Sequence, residues 1–518
     1  MTGGMRSLSA GAITMQSGGL TALAVRLRGR WPELVLVGVA GAYVAAFVGT
    51  GLLRAVYPYP VDGVEPGALQ EVQRVLKGQP LYVKPELGYV PLIYGPVYFY
   101  VSAAFSALAR SALLGMRLVS VLASVGSITV LMLLVQRETG SLAMGLVSGG
   151  LFAACGPLVD MAMDIGRMDA LALCLMLGGV YFARIATSWR GAAGAGLLMG
   201  LSLLTKQSGV PVVIAMGIAL VLLRRAQVVP YAAAAVLTVA LGVLVLVAQA
   251  GTWPLFYLWE LPRRHELEPQ YVSRLWSDLL MRFAIPMVVG PFYLYARAKA
   301  RDRERLTFYV CACVGLIATA WISDSNIGGG RNVQLPAYAA FALLFGLALH
   351  EAVSYLTGTA ERVRVGRTYV MFAAVAQFAI MLYNPRLVVP YRSDMWDGER
   401  LSATVASLQG PVFAGSYRGY VGEDVIAPDL GAVRELEGAF GGTGTQEGSD
   451  WEGLLAHALS QRQLAYVIVD PDNEASIVPI LAKDFHYRDA GPLFPEGDIY
   501  WAWRTGWAPK AEVYVPPT

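Results

Sequence analysis

Long apolar runs separated by short charged turns dominate this chain until about residue 385, where the pattern stops. LVLVGVAGAYVAAFVGTGLL at 34–53 and PYAAAAVLTVALGVLVLVAQA at 230–250 carry no charge. Each reaches the length of roughly 20 residues that a hydrocarbon core demands. By the same criterion about eleven spans are predicted, near 33–53, 116–135, 141–158, 170–186, 191–205, 209–223, 229–250, 279–296, 307–322, 334–353 and 368–384. The runs at 191–205 and 209–223 are short, joined by LTKQSG, and read as tilted or half-buried.

Charge orders the turns between them. Arg26, Arg28 and Arg30, then Arg137, Arg184 and Arg190, Arg224 and Arg225, RAKARDRER at 297–305, and Arg362, Arg364 and Arg367 alternate to one side. Short loops rich in Lys and Arg face the cytoplasm. The loops 54–115, 156–169, 206–208, 251–278 and 323–333, and all that follows 385, are then outside. An odd number of spans follows, with a cytoplasmic N-terminus. The stretch holding Arg6 and the three arginines before the first span reads as an uncleaved signal anchor, its apolar run being too long for a signal peptide.

The outer loop 54–115 has structure of its own. Leu69, Val72, Val75 and Leu76 in EPGALQEVQRVLKG have helical spacing, with Gly78 placed to end the helix. PLIYGPVYFYVSAAFSALA predicts an amphipathic helix on the membrane surface, or else a further span that would invert every later loop. After Asn384, PVFAGSYR, LAYVIVD and DIYWAWR have strand character, ERLSATVASLQ and WEGLLAHALSQRQ are helical, and 438–450 reads as a flexible loop. The expectation is an all-α polytopic membrane protein with a small C-terminal external α/β domain. Residues 1–386 form the membrane module and 387–518 the external part.

Composition agrees. Hydrophobic residues make up 56% and charged ones 15%, mean hydropathy is +0.51, and soluble domains carry about 25% charged residues. The net charge of +3 comes without a basic patch interleaved with aromatics, so no nucleic-acid partner is expected. Cys155, Cys174, Cys311 and Cys313 lie in apolar runs and read as free thiols. The four histidines show no ligand spacing, and no metal site is expected from them.

Charges beside a membrane are costly and demand a reason. Four clusters fall on the predicted outer side: Asp62 with Glu65, Asp160 with Asp164, Arg167 and Asp169, then Lys206, and finally Asp324, Arg331 and Asn332. A shared outward cavity accounts for all four. No phosphate-binding nucleotide loop is present. Carboxylates beside cations at headgroup level suit transfer from a phospholipid-like donor: a carboxylate deprotonates an acceptor hydroxyl, and Lys or Arg holds the departing phosphate. Simpler structural readings stand beside these. Asp62 or Glu65 can cap the helix starting at Pro66, Arg167 and Asp169 can staple two spans, and Lys206 can snorkel.

The order of these motifs resembles the GT-C superfamily of polyprenyl-phosphate-sugar transferases, which includes protein O-mannosyltransferases and the lipid A aminoarabinose transferase. It is similar in particular to a family-39-like bacterial branch. Gly78-Gln79-Pro80-Leu81-Tyr82, Tyr94-Gly95-Pro96-Val97-Tyr98, Arg167-Met168-Asp169 and Lys206-Gln207 stand in the places of that branch's motifs, over roughly residues 30–340. Setting Glu71 and Arg74 on the family's helix puts Glu65 on the catalytic carboxylate. Relatives carry adjacent Asp-Glu, whereas here Asp62 and Glu65 are three residues apart, so Asp62 stays a second candidate. The resemblance implies that Arg167, Asp169, Asp164, Lys206, Arg331, Asn332 and Tyr94 line the substrate cavity. It further implies a polyprenyl-phosphate sugar donor, a cell-envelope glycan, lipid or protein as acceptor, and membrane lipid as the surroundings. No cofactor is demanded, with a divalent cation at the acidic groups left open. The alternative class is a transporter or flippase of lipid-linked sugars, for which the internal repeats common in transporters are missing.

Overall fold

The computed structural model of the protein describes residues 31–356, 361–470, 474, 477–494 and 511–517. The arginines before residue 31 and the strand expected in DIYWAWR lie outside the described residues.

The helices are α1 (Trp31–Ala55), α2 (Glu65–Leu76), α3 (Val97–Ala109), α4 (Ala112–Thr139), α5 (Leu142–Ala153), α6 (Asp169–Ile185), α7 (Trp189–Leu203), α8 (Val210–Leu223), α9 (Val228–Ala250), α10 (Arg274–Lys299), α11 (Arg303–Asp324), α12 (Leu335–Tyr355) and α13 (Glu361–Ile380). A helix stands at each predicted span. Yet only six among the described residues are long and apolar enough to cross a membrane, or seven if the pair Val365–Ile380 and Pro385–Ala406, bent by 42°, is one span. The count of eleven crossings therefore does not follow from length. Helices α5, α6, α7 and α8 have 12, 17, 15 and 14 residues, short of the roughly 20 that a perpendicular crossing needs.

Helix α12 runs through the centre, every side chain from Leu335 to Leu349 being buried. Its alanines and Gly346 allow this, because small residues let helices approach closely in lipid. A Cβ on Gly346 would come within 2.8 Å of Ser148 on α5.

The turns predicted to be cytoplasmic meet at one end of the bundle. Arg184 donates to Glu138 (2.7 Å) and Glu304 (3.1 Å), Arg224 to Glu304 (2.7 Å), and Arg305 to Glu138 (2.5 Å). The charged groups assigned to the outer side gather at the other end, described below.

Helix α2 starts and stops where the sequence says. Gly78 has φ +68°, and the amides of Gly78 and Gln79 close onto Val75 and Arg74, which ends the helix. The apolar helix α3 has 13 residues, about 20 Å at 1.5 Å per residue. It buries Tyr98, Phe99 and Ala103 and falls short of the roughly 30 Å of a hydrocarbon core.

The C-terminal segment contains α14 (Arg392–Ala406), α15 (Leu430–Leu436) and α16 (Gln446–Ser460), with β1 (Val412–Phe413), β2 (Tyr466–Val469), β3 (Arg488–Pro492) and β4 (Glu512–Val515) in the order β1-β2-β4-β3. β1 pairs parallel to β2, and the other pairs are antiparallel. The predicted loop 438–450 is shorter than expected: Thr445 accepts from the Gly448 amide (2.9 Å) and starts α16. Leu401, Val405, Val412, Tyr417 and Ile468 form one buried cluster within this segment, and a second cluster is shared. Leu69, Val72 and Leu92 of the outer loop share one buried cluster with Val433, Trp451, Leu455 and Val467, and the Trp451 indole donates to the Glu86 carbonyl (3.1 Å).

Candidate active site

Glu65 opens α2 and is wholly buried. Its carboxylate accepts four hydrogen bonds: two from Arg117 (Nε and Nη2, both 2.8 Å), one from the Val61 amide (2.7 Å) and one from the Gly166 amide (2.5 Å). Arg117 gives its remaining protons to the carbonyls of Arg54 (2.9 Å), Tyr57 (2.6 Å) and Tyr59 (2.6 Å). Burial alone would push the Glu65 carboxyl up, but the Arg117 guanidinium and these amides hold it below its usual value. The pair pins the loop 57–64 against α4 and the 160s loop, and it does not line the cavity described below. Asp164 is placed likewise: fully buried, paired with Arg54 (2.8 Å), its carboxyl pushed up by burial against the pull of Arg54. Neither acid, both expected at the site, faces open space.

Asp62 does. One oxygen accepts from the Val64 amide (2.8 Å), which turns the chain into α2, and the other accepts from Arg167 (3.1 Å). Arg167 also reaches Asp169 (3.3 Å), the first residue of α6. The second Asp169 oxygen takes Lys206 (2.6 Å) and the Asn332 amide (2.8 Å). Lys206 lies 5.6 Å from the centre of the Tyr94 ring. Five residues from four separate stretches thus form one network, Asp62–Arg167–Asp169–Lys206/Asn332.

Two of the sequence motifs meet in its support. Gln207 donates to the Ile93 carbonyl (2.6 Å), and the Val97 amide to the Leu204 carbonyl (3.2 Å). Gly95 packs directly on the Leu204 carbonyl, where any Cβ would collide with backbone.

A cavity of about 500 Å³ opens beside the network, lined by Asp62, Tyr94, Asp160, Arg167 and Asn332. Burial pushes the Asp160 carboxyl up, with Arg331 and Arg167 opposing. Arg331 itself is largely exposed, 3.5 Å from Asp278, and does not line this cavity. The opposite wall comes from the C-terminal segment: Asp429, Glu435 and Phe440. Among the described residues no group of three or more His, Cys, Asp and Glu is arranged to hold a metal ion. Sequence reasoning missed Arg117 and this wall. A lone arginine early in an apolar span was the available signal for Arg117; nothing in the local sequence marked the wall.

Two outcomes are expected here. Lys206→Met should lower the melting temperature, because it strips the buried Asp169 of one charge-assisted hydrogen bond, a loss of about 1.5–3 kcal/mol, as read by thermal denaturation. Glu71 gives the second. Burial lifts its carboxyl to about 8, although the Tyr89 hydroxyl (2.6 Å) and Leu92 amide (2.8 Å) pull down. The folded chain thus keeps a proton that the unfolded chain releases near pH 4. Its stabilising contribution is complete below that pH and is lost as pH rises towards 8. Melting temperature should fall from pH 5 to pH 8, and Glu71→Gln should flatten that slope.

Comparison with known proteins places this geometry. Residues 91–253 match the family model described as dolichyl-phosphate-mannose-protein mannosyltransferase. No curated protein matches the chain in sequence. The crystal structure of ArnT from Cupriavidus metallidurans bound to undecaprenyl phosphate superposes with a TM-score of 0.59 at 14% identity, covering 93% of this chain and 99% of that one. Its apo state gives 0.56 with the same coverage. The mycobacterial arabinofuranosyltransferase AftD matches at 0.48 and 14% identity, over 92% of this chain and 40% of that one. The chain shares its fold with ArnT, one of the enzymes that the motif order resembles.

Proposed function

We propose that the protein is a multi-pass membrane glycosyltransferase that moves a sugar from a polyprenyl-phosphate-linked donor to an acceptor at the outer face of the cytoplasmic membrane, with inversion. The observation that carries this is the sorting of charge at one cavity, in a fold shared with an enzyme solved bound to undecaprenyl phosphate. Asp62 stands on the open side as the general base, and Glu65 acts by holding the loop that presents it. Arg167, Lys206 and Asn332 form the anion side, arranged by Asp169.

In the reaction Asp62 takes the proton of the acceptor hydroxyl, whose oxygen attacks the anomeric carbon. The carbon–oxygen bond to phosphate breaks, and polyprenyl phosphate leaves towards Lys206 and Arg167. A single displacement inverts the centre. The meeting of the basic turns at the far end of the bundle supports an outward-facing cavity, a cytoplasmic N-terminus and an external C-terminal domain. No step calls for a cofactor.

The test is a transfer assay with purified full chain, a panel of polyprenyl-phosphate sugars and envelope extract. Release of polyprenyl phosphate together with a glycosylated product is the expected result. Movement of the lipid-linked sugar across liposomes without any product would replace the enzyme reading by a flippase.

A further inference from the structure

We infer that the C-terminal segment builds the acceptor side of this cavity, with Asp429 accepting a hydrogen bond from a sugar hydroxyl, and that the group receiving the sugar is an uncharged polyol, not a phosphate or other anion. This rests on the transferase reading above and narrows it.

Asp429 sits just before α15, and one of its oxygens accepts from the Ala432 amide (2.8 Å), which caps that helix. The residue is only 7% exposed, yet it lines the cavity across from Tyr94 and Arg167. Gly67 makes this possible. A Cβ there would run into the Asp429 carboxylate, so the glycine lets the C-terminal segment lay an acid directly on the first turn of α2, five residues from Asp62. Burial lifts the Asp429 carboxyl to about 6; its backbone hydrogen bonds pull it down, while Asp62 and Glu435 add to the rise. At neutral pH it remains chiefly a carboxylate, an acceptor for hydroxyl protons.

The wall is also fixed in place. Glu435 lies 2.6 Å from the His265 ring, and the Glu266 amide donates to the Phe440 carbonyl (3.3 Å), so the 256–272 loop braces α15 from behind.

Charge then selects the acceptor. Among the described residues Arg167 is the one Lys or Arg lining the cavity, and it is committed to Asp62 and Asp169. Lys206 looks into an adjoining recess with Asp169 and Asn332. An anionic acceptor would therefore face Asp62, Asp160, Asp429 and Glu435, while Arg167 and Lys206 serve the donor phosphate and Arg331, near Asp160, pairs with Asp278 (3.5 Å) outside the cavity lining, and like charges set against each other deter a partner. Hydroxyl groups meet the same carboxylates as donors.

The test uses the full chain, an undecaprenyl-phosphate sugar that it turns over, and two acceptor probes: a neutral alkyl oligosaccharide and the same molecule carrying a phosphate monoester. Undecaprenyl phosphate release reports turnover. The neutral probe should be used at least tenfold better in kcat/KM. Asp429→Asn, which keeps the helix cap, should raise KM for that probe about tenfold and leave undecaprenyl phosphate binding unchanged, while Glu435→Gln should narrow the gap between the probes. A preference for the phosphorylated probe, or an unchanged KM in Asp429→Asn, overturns the inference and leaves the transferase reading intact. No release from wild type with either probe removes both.

Discussion

Asp62→Asn is expected to lower the rate of sugar transfer by about 10²–10⁴-fold, the usual weight of a general base, while the protein still folds and binds undecaprenyl phosphate. Asparagine keeps the oxygen that accepts from the Val64 amide, so the turn into α2 survives. Arg167 loses one partner but keeps Asp169. The loss should fall on kcat, with donor affinity changed little. Activity within a few-fold of wild type would take the base away from Asp62.

Glu65→Gln should fail differently. Among the described residues Glu65 and Arg117 are the ion pair with neither side chain exposed to solvent, and breaking a buried pair from one side costs about 3–5 kcal/mol. Lower yield and a lower melting temperature in detergent are expected, with donor binding and transfer falling together. Replacing both partners, as in Glu65→Leu with Arg117→Leu, should recover much of the folded protein, since an apolar pair of similar volume leaves no charge stranded. A Glu65→Gln protein that melts like wild type and loses only transfer would return the base to Glu65.

These two acids show how far the sequence could be read. Their loop, and the company of Arg167, Asp169, Lys206, Asn332 and Tyr94, followed from motif order, because charges beside a membrane are costly enough to be informative. The choice between Asp62 and Glu65 did not follow. The proposed choice of Asp62 rests on Arg117, fifty-two positions beyond Glu65, which holds that acid buried at the helix start. Asp164 was absorbed in the same way by Arg54. Helix positions were legible from apolar runs, whereas crossings were not. Among the short helices α5 packs inside the bundle while α8 leaves Ile214, Ile218 and Leu222 exposed, and an apolar run does not say whether lipid or protein surrounds it. The sheet of the C-terminal segment was foreseen at β1 and β2 from their β-branched and aromatic runs. Its shared core with the outer loop depends on contacts several hundred residues apart, such as Trp451 with Glu86, and no local pattern encodes those.

That shared core sets an order of assembly. While the chain is still emerging from the ribosome, α2 and the bundle helices are made well before Val433, Trp451 and Val467, the residues that cover Leu69, Val72 and Leu92. The loop bearing Asp62 must wait with an apolar flank uncovered until those residues have been made. Chains stopped short of Val433 would thus hold the bundle without the wall of the cavity that Asp429 and Glu435 belong to.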